Sequence, residues 1–168
     1  MSASWSAPVT VLVDVVAWGA IHASTGYLVH RLSIERFRAD NRLTRPRRIE
    51  RGGALYTDTL RIRRWKPLLP EAGAFFAGGF DKKRLGGRDP RRLERYAAET
   101  RRAELGHVLA LLAAPAFFAW NPWPVGIFMV AYATVANAPC IAAQRYNRLR
   151  IGRVLQRTPT GQGRTDPS

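Results

Sequence analysis

Glu104 and His107 stand three residues apart, a spacing that puts both side chains on one face of a helix. A histidine held by a carboxylate is the usual form of a general base for a hydroxyl nucleophile. Asp14, His22, Asn137 and Gln144 are further polar side chains within or beside long apolar stretches. Such groups are costly inside a membrane and are therefore candidates for function. If the chain turns at Asn121-Pro122, depth can be compared across that turn. His107 then falls level with Ala136-Asn137, Glu104 with Pro139, and Glu99 with Gln144. A first span entering near Pro8 would bring His22 to the layer of His107 and Asn137. The candidate catalytic set is His107, Glu104, Asn137 and Glu99, with Asn137 or Gln144 as donor to an oxyanion. Asp14 is read as lying near the outer headgroups or bonded to Trp18 one turn on, outside the chemistry.

The elements that must position these groups follow from charge. The 168 residues carry 27 Lys+Arg against 12 Asp+Glu, a net charge of +15. Such a balance suggests a nucleic-acid binder, and a mean hydropathy of −0.20 suggests an ordinary soluble protein. Both averages hide a segregation. Residues 31–103 carry a net +12 and residues 144–168 a net +5, whereas residues 1–30 and 104–143 contain no cation. A single cysteine, Cys140, excludes a disulfide scaffold.

Apolar stretches at 9–29, 104–120 and 123–143 fit the ~20 helical residues that cross a bilayer core. The expected fold is therefore an all-α integral membrane protein with about three transmembrane helices, a single domain over 1–168. Cations stay cytoplasmic, so the N-terminus faces out and the C-terminus in, with 31–103 a basic cytoplasmic segment between the first two spans. Trp5, Trp120 and Trp123 then fall at the outer interface, and Tyr27 and Tyr146 near the inner one. A cleaved signal peptide would need a positive leading region, which Met1–Pro8 lacks. Cations that flank spans, with no nucleic-acid motif, exclude nucleic acid as a partner.

Within the basic segment, Arg45-Pro46 and Gly52-Gly53 mark turns. Leu60-Arg61-Ile62-Arg63 alternates too briefly to establish a strand. Ala72–Phe80, beside Lys82-Lys83-Arg84, suits either a face lying on anionic lipid or a packed loop. Asp89-Pro90 opens a helix, with Asp as N-cap and Pro at the first helical position. That helix is expected to run about thirty residues to Trp120 with a kink near Pro115, and Glu94 and Glu99 offer partners to its arginines. Residues 156–168 read as a disordered tail. The chain has no Gly-rich phosphate loop, no Cys/His metal spacing and no G-x-S-x-G elbow, so neither metal nor resident cofactor is expected.

Three segments carry a resemblance: Arg63-Arg64-Trp65-Lys66-Pro67-Leu68-Leu69-Pro70, Glu99 through His107 (ETRRAELGH), and Asn137-Ala138-Pro139 continuing to Gln144-Arg145-Tyr146-Asn147-Arg148-Leu149-Arg150. Arg31, Glu50-Arg51-Gly52-Gly53 and Phe80-Asp81-Lys82-Lys83 accompany them. Over about residues 15–155 the chain resembles the glycosyl-4,4'-diaponeurosporenoate acyltransferase family of small bacterial membrane proteins. It departs from that family at Leu149, where proline is frequent, which would loosen the exit of the third span. The resemblance implies a multi-pass protein of the bacterial cytoplasmic membrane. It also implies transfer of a fatty acyl group to a sugar hydroxyl of a glycosylated carotenoid or a similar lipid.

No catalytic residue is carried over from the family; the site rests on motif position and chemistry. An acyl-CoA co-substrate would set its phosphates against Arg63, Arg64, Lys66, Arg102, Arg145 and Arg148, since the arginine fork suits phosphate. Trp65 would stack on adenine or sugar, or anchor the interface. Gln144, Tyr146, Asn147 and His22 complete the expected binding set, although Tyr146 and Asn147 also read as the end of the third helix. The partners expected are an anionic bilayer, acyl-CoA, the glycosylated lipid and, because three spans make a thin bundle, a homodimeric copy. The alternative is a non-catalytic membrane scaffold of a pigment or lipid pathway.

Overall fold

A computed structural model describes residues 5–69 and 89–157. The expectations for Ala72–Phe80, for Lys82-Lys83-Arg84 and for most of the tail lie outside the described residues. Among the described residues the chain is helical and contains no strand. Helix α1 spans Ala7–Arg31, with Pro8 in its first turn. The four-residue α2 covers Ile62–Trp65, α3 covers Pro90–Ala113, and α4 covers Trp123–Arg157. Three helical stretches, Ala7–Arg31, Pro90–Ala119 and Trp123–Arg157, are long and apolar enough to cross a membrane.

The apolar side chains of α1 mostly face outward. Val11, Leu12, Val15 and Val16 are exposed, while Asp14, Trp18 and Val29 are its buried residues. An apolar surface of this kind on a fully hydrogen-bonded helix suits lipid. Asp89 caps α3 as expected, its side chain accepting from the Arg91 amide at 3.1 Å. At Pro115 the expected kink takes the form of a 3-10 turn, Ala114–Ala119.

The hairpin between α3 and α4 closes tightly because of Gly126. A Cβ there would sit 2.2 Å from the Phe118 ring, so only glycine lets that ring lie across α4. Beneath it, Trp18 stacks on Phe117 with ring centroids 4.7 Å apart, and Ala114 and Ala133 complete this core. Gly106 brings α3 close to Val29 of α1, which a Cβ would meet at 3.4 Å.

Asp14 belongs to the same end of the bundle, and the expected bond to Trp18 is corrected. Its Oδ1 accepts from Trp120 Nε1 at 2.8 Å and from Asn121 Nδ2 at 2.9 Å. Trp18 Nε1 instead points to Met129 Sδ, 3.3 Å away. A buried carboxylate thus ties α1 to the hairpin turn.

Residues 32–69 wrap the other end of α3 and α4. Ser33 caps a 3-10 turn at Ile34–Phe37. Asn41 Oδ1 then holds the Leu43 and Thr44 amides at 2.9 and 3.0 Å. Arg51, Gly52 and Gly53 all have positive φ, which is why two glycines stand at this bend. A π-helical turn at Leu55–Thr59 follows. The Leu60–Arg63 alternation is no strand: Arg61 has φ 47° and opens α2. Tyr56 and Ile62 pack on Ala143 and Tyr146 of α4, with Leu149 against them. Leu149 does not loosen α4, which runs on to Arg157.

Candidate active site and the arginines around it

The ring of His107 meets Asn137 across the α3–α4 hairpin, Nδ1 to Oδ1 at 3.0 Å. This is the pairing expected from depth. Asn137 is buried, and its Nδ2 donates to the Ala133 carbonyl at 2.9 Å. With its NH2 turned to that carbonyl, Asn137 presents an acceptor to His107. Nδ1 must then carry the imidazole proton, which makes Nε2 the basic nitrogen of the neutral ring. Asn137 therefore orients the histidine, and the oxyanion role considered for it is revised.

Glu104 does not serve as the expected partner that orients His107. Its side chain is 1% exposed. Oε1 accepts from Arg145 Nε at 2.6 Å, and Oε2 accepts from Arg148 Nη2 at 2.7 Å. Arg145 also donates to Glu50 Oε1 and to the Leu43 carbonyl. Arg148 adds the Thr44 carbonyl at 2.7 Å and lies 3.7 Å from Asp40. Asp40 in turn accepts from Arg101 Nε at 2.7 Å. Three acids and three arginines thus form one charge-balanced cluster joining residues 40–50, α3 and α4.

Glu50 completes the cluster from the loop side. It accepts from the Arg47 amide and from Tyr56 Oη, both at 2.9 Å. Burial alone would raise its pKa, but these donors and Arg145 outweigh burial and hold the carboxyl below the ordinary glutamate value. The Tyr56 hydroxyl is pushed up by burial and by its bond to Glu50. The phosphate role expected of Arg145 and Arg148 is corrected accordingly: both guanidinium groups are engaged by acids and carbonyls, although Arg148 Nη1 is buried without a hydrogen-bond partner among the described residues.

The remaining candidates divide. Glu99 pairs with Arg102 one turn on at 2.7 Å. Lys66 Nζ donates to Asn147 Oδ1 at 2.6 Å and lies 5.7 Å from the centre of the Tyr146 ring. Arg63 Nε donates to Tyr146 Oη at 3.2 Å, so Tyr146 and Asn147 hold the loop to α4 instead of ending that helix. Trp65 Nε1 is bonded to the Leu60 carbonyl at 2.8 Å. Arg64 is exposed. Gln144 Oε1 is buried with no hydrogen-bond partner among the described residues. His22 is exposed and stacks on Trp18 at 5.7 Å; it does not join the His107–Asn137 pair.

A family model for glycosyl-4,4'-diaponeurosporenoate acyltransferase matches residues 40–157. The chain belongs to this family. It is similar to the glycosyl-4,4'-diaponeurosporenoate acyltransferase of Staphylococcus haemolyticus (strain JCSC1435), with 35% identity over 107 residues, 64% of this chain and 62% of that relative. With the protein of the same name from Staphylococcus aureus (strain bovine RF122 / ET3-1) it shares 27% identity over 139 residues, 83% of this chain and 84% of the relative. The first match thus spans a little under two thirds of that relative's length. No solved structure matches the chain. The family match begins at Asp40, the first acid of the cluster, and includes the His107–Asn137 pair. Asp14 and His22 of α1 lie outside it.

Four residues around the site escaped sequence reasoning. Asp40 was hidden because its partners, Arg101 and Arg148, are remote in sequence. Arg150, Arg153 and Arg157 did carry a signal: with Tyr146 they repeat at intervals of four, three and four residues, one face of a helix. Glu50, by contrast, was visible as part of the Glu50–Gly53 motif but had no assigned partner.

Proposed function

We propose that this chain is a membrane acyltransferase of the bacterial cytoplasmic membrane. It moves a fatty acyl group from an acyl-CoA-type thioester to a sugar hydroxyl of a glycosylated carotenoid or similar lipid-linked sugar. The observation that carries this reading is the His107–Asn137 pair inside the segment matched by the family. In the proposed step, His107 Nε2 removes the proton of the sugar hydroxyl as its oxygen attacks the thioester carbonyl carbon. The carbonyl electrons move to oxygen and return as the C–S bond breaks. The departing thiolate takes the proton back from His107, which leaves an ester, a free thiol and a neutral ring. Asn137 is a positioning residue that fixes the tautomer. The acyl chains of donor and product lie among the apolar helices, with the head of the donor on the cytoplasmic side together with the basic segment.

The test uses the full chain in proteoliposomes supplied with acyl-CoA and a glycosylated C30 carotenoid, with the ester detected by mass spectrometry. Wild type is expected to form it. His107→Ala is expected to lose about 10²–10⁴-fold in rate while accumulating normally in the membrane. Asn137→Ala is expected to shift the pH profile of kcat through loss of the fixed tautomer. An undiminished rate in His107→Ala would remove the general base. If purified wild type forms no ester, the scaffold reading takes its place.

A further inference from the structure

A second group of arginines lies beside the balanced cluster. Arg63 of α2 and Arg150, Arg153 and Arg157 of α4, with Tyr146 and Val154, line an open groove of about 220 Å³. All four arginines are exposed. None of them forms an ion pair with an acid among the described residues, whereas Arg38, Arg92, Arg101, Arg102, Arg145 and Arg148 all do. Asp58 is the acid whose charge reaches Arg63, and it stops short of an ion pair. Like charges held together this way repel, so the arrangement is poised for an anion.

Two of these guanidinium groups are placed and not merely exposed. Arg63 is held at Nε by the Tyr146 hydroxyl. Arg153 Nη2 lies against the glycine bend, at contact distance, 3.4 Å, from where a Cβ on Gly53 would stand; the φ of that glycine is +112°. The glycine bend that carries Glu50 into the buried cluster therefore also borders the groove.

We infer that Arg63, Arg150, Arg153 and Arg157 form a binding site for a ligand bearing clustered phosphates. Arginine forks match phosphate oxygens bidentately, and four guanidinium groups without an ion pair among the described residues suit a ligand with several phosphate charges. The position also suits a donor. Arg150 lies thirteen residues beyond Asn137 on α4, roughly 20 Å along the helix axis at ~1.5 Å per residue. An extended pantetheine arm separates the thioester of an acyl-CoA from its phosphates by a length of that order. Phosphates in the groove would bring the thioester to the depth of His107 by a path that also passes about 140° round α4, since Arg150 and Asn137 stand on different faces of that helix. This assignment of the donor rests on the acyltransferase reading; the phosphate site itself does not. Anionic phospholipid headgroups gathered at the groove offer the same clustered phosphates, and the two sources are separable.

The full chain in nanodiscs of neutral phosphatidylcholine is titrated with CoA, comparing wild type with Arg150→Gln/Arg153→Gln. In a second arm, the chain is titrated with CoA in nanodiscs containing phosphatidylglycerol. CoA binding that weakens about tenfold or more in the double variant, and that persists beside phosphatidylglycerol, supports the site with the donor as its ligand. Binding that weakens likewise in the variant but is displaced by phosphatidylglycerol supports the site with the headgroup as its ligand. CoA affinity unchanged by the double substitution overturns the site. Transfer assays keep the two readings apart. An active enzyme whose KM for acyl-CoA ignores both substitutions sinks the groove as the donor's site and spares the acyltransferase. Variant-sensitive CoA binding by a chain that transfers nothing does the reverse.

Discussion

Arg148 and Arg150 stand two residues apart on α4 and live in opposite electrostatic worlds. Arg148 is buried among Glu104, Asp40 and the Thr44 carbonyl. Arg150 is exposed in a groove with three other arginines and no acid partner among the described residues. A helix turns about 100° per residue, so two positions are enough to pass from one face to the other. The set around Arg148 is neutral in sum and joins three parts of the chain. The groove is a concentration of one sign. Charge that is matched holds structure together, and charge left unmatched is available to a ligand.

The contrast is broken most forcefully at Glu104. Glu104→Ala leaves Arg145 and Arg148 buried without their shared acid, a loss of about 3–5 kcal/mol. A large fall in detergent melting temperature and in membrane abundance is expected. A melting temperature equal to wild type would show that the cluster holds little together. Arg145→Lys is the next test. The lysine keeps the charge but not the fork that reaches Glu104, Glu50 and the Leu43 carbonyl, so about 1.5–3 kcal/mol should be lost, again read by melting. Arg153→Lys in the groove, where no such set of acceptors stands among the described residues, should melt as wild type does.

Acid sharpens the same contrast more gently. The folded pKa of Glu50 lies below its ordinary value. Its stabilisation is therefore complete above the ordinary glutamate range and disappears as pH falls through the lowered folded value. Melting temperature should drop below pH ~4, and Glu50→Gln should reduce that drop. A pH dependence identical in the variant would free Glu50 of the role. The smallest effect belongs to Arg150→Ala, which should change stability by no more than about 0.5 kcal/mol, measured by the same melting assay. A severe loss there would mean that the groove is structural after all.

The parts of this arrangement differ in how openly the sequence announces them. Long apolar stretches need no knowledge of partners, so all three long helices are legible, as are Asp89 at the start of α3 and the bend at Pro115. The His107–Asn137 contact is legible for a similar reason: a short hairpin makes depth a matter of counting. Glu104 misleads because its neighbour at three residues is local, whereas its actual partners come from forty-one and forty-four residues away. Long arginine side chains reach across a helix gap that residue counting treats as a mismatch of level. Asp14 is obscured in the same way, since its donors stand on the far hairpin turn. The loop over residues 32–69 offers little periodicity, and its shape is set by Asn41, by Gly52-Gly53 and by the cluster it closes.

The span of that cluster along the chain has a consequence for biogenesis. Glu50 and the Leu43 and Thr44 carbonyls are made early, and the arginines that satisfy them follow 95 to 104 residues later. Until the last helix emerges, those acceptors must remain in water, because burying them unpaired is costly. Docking of α4 and closure of the loop are consequently a single late event in assembly. A nascent chain halted before Arg145 already has its three apolar segments, but it holds the loop open with Glu50 and Glu104 still lacking their arginines.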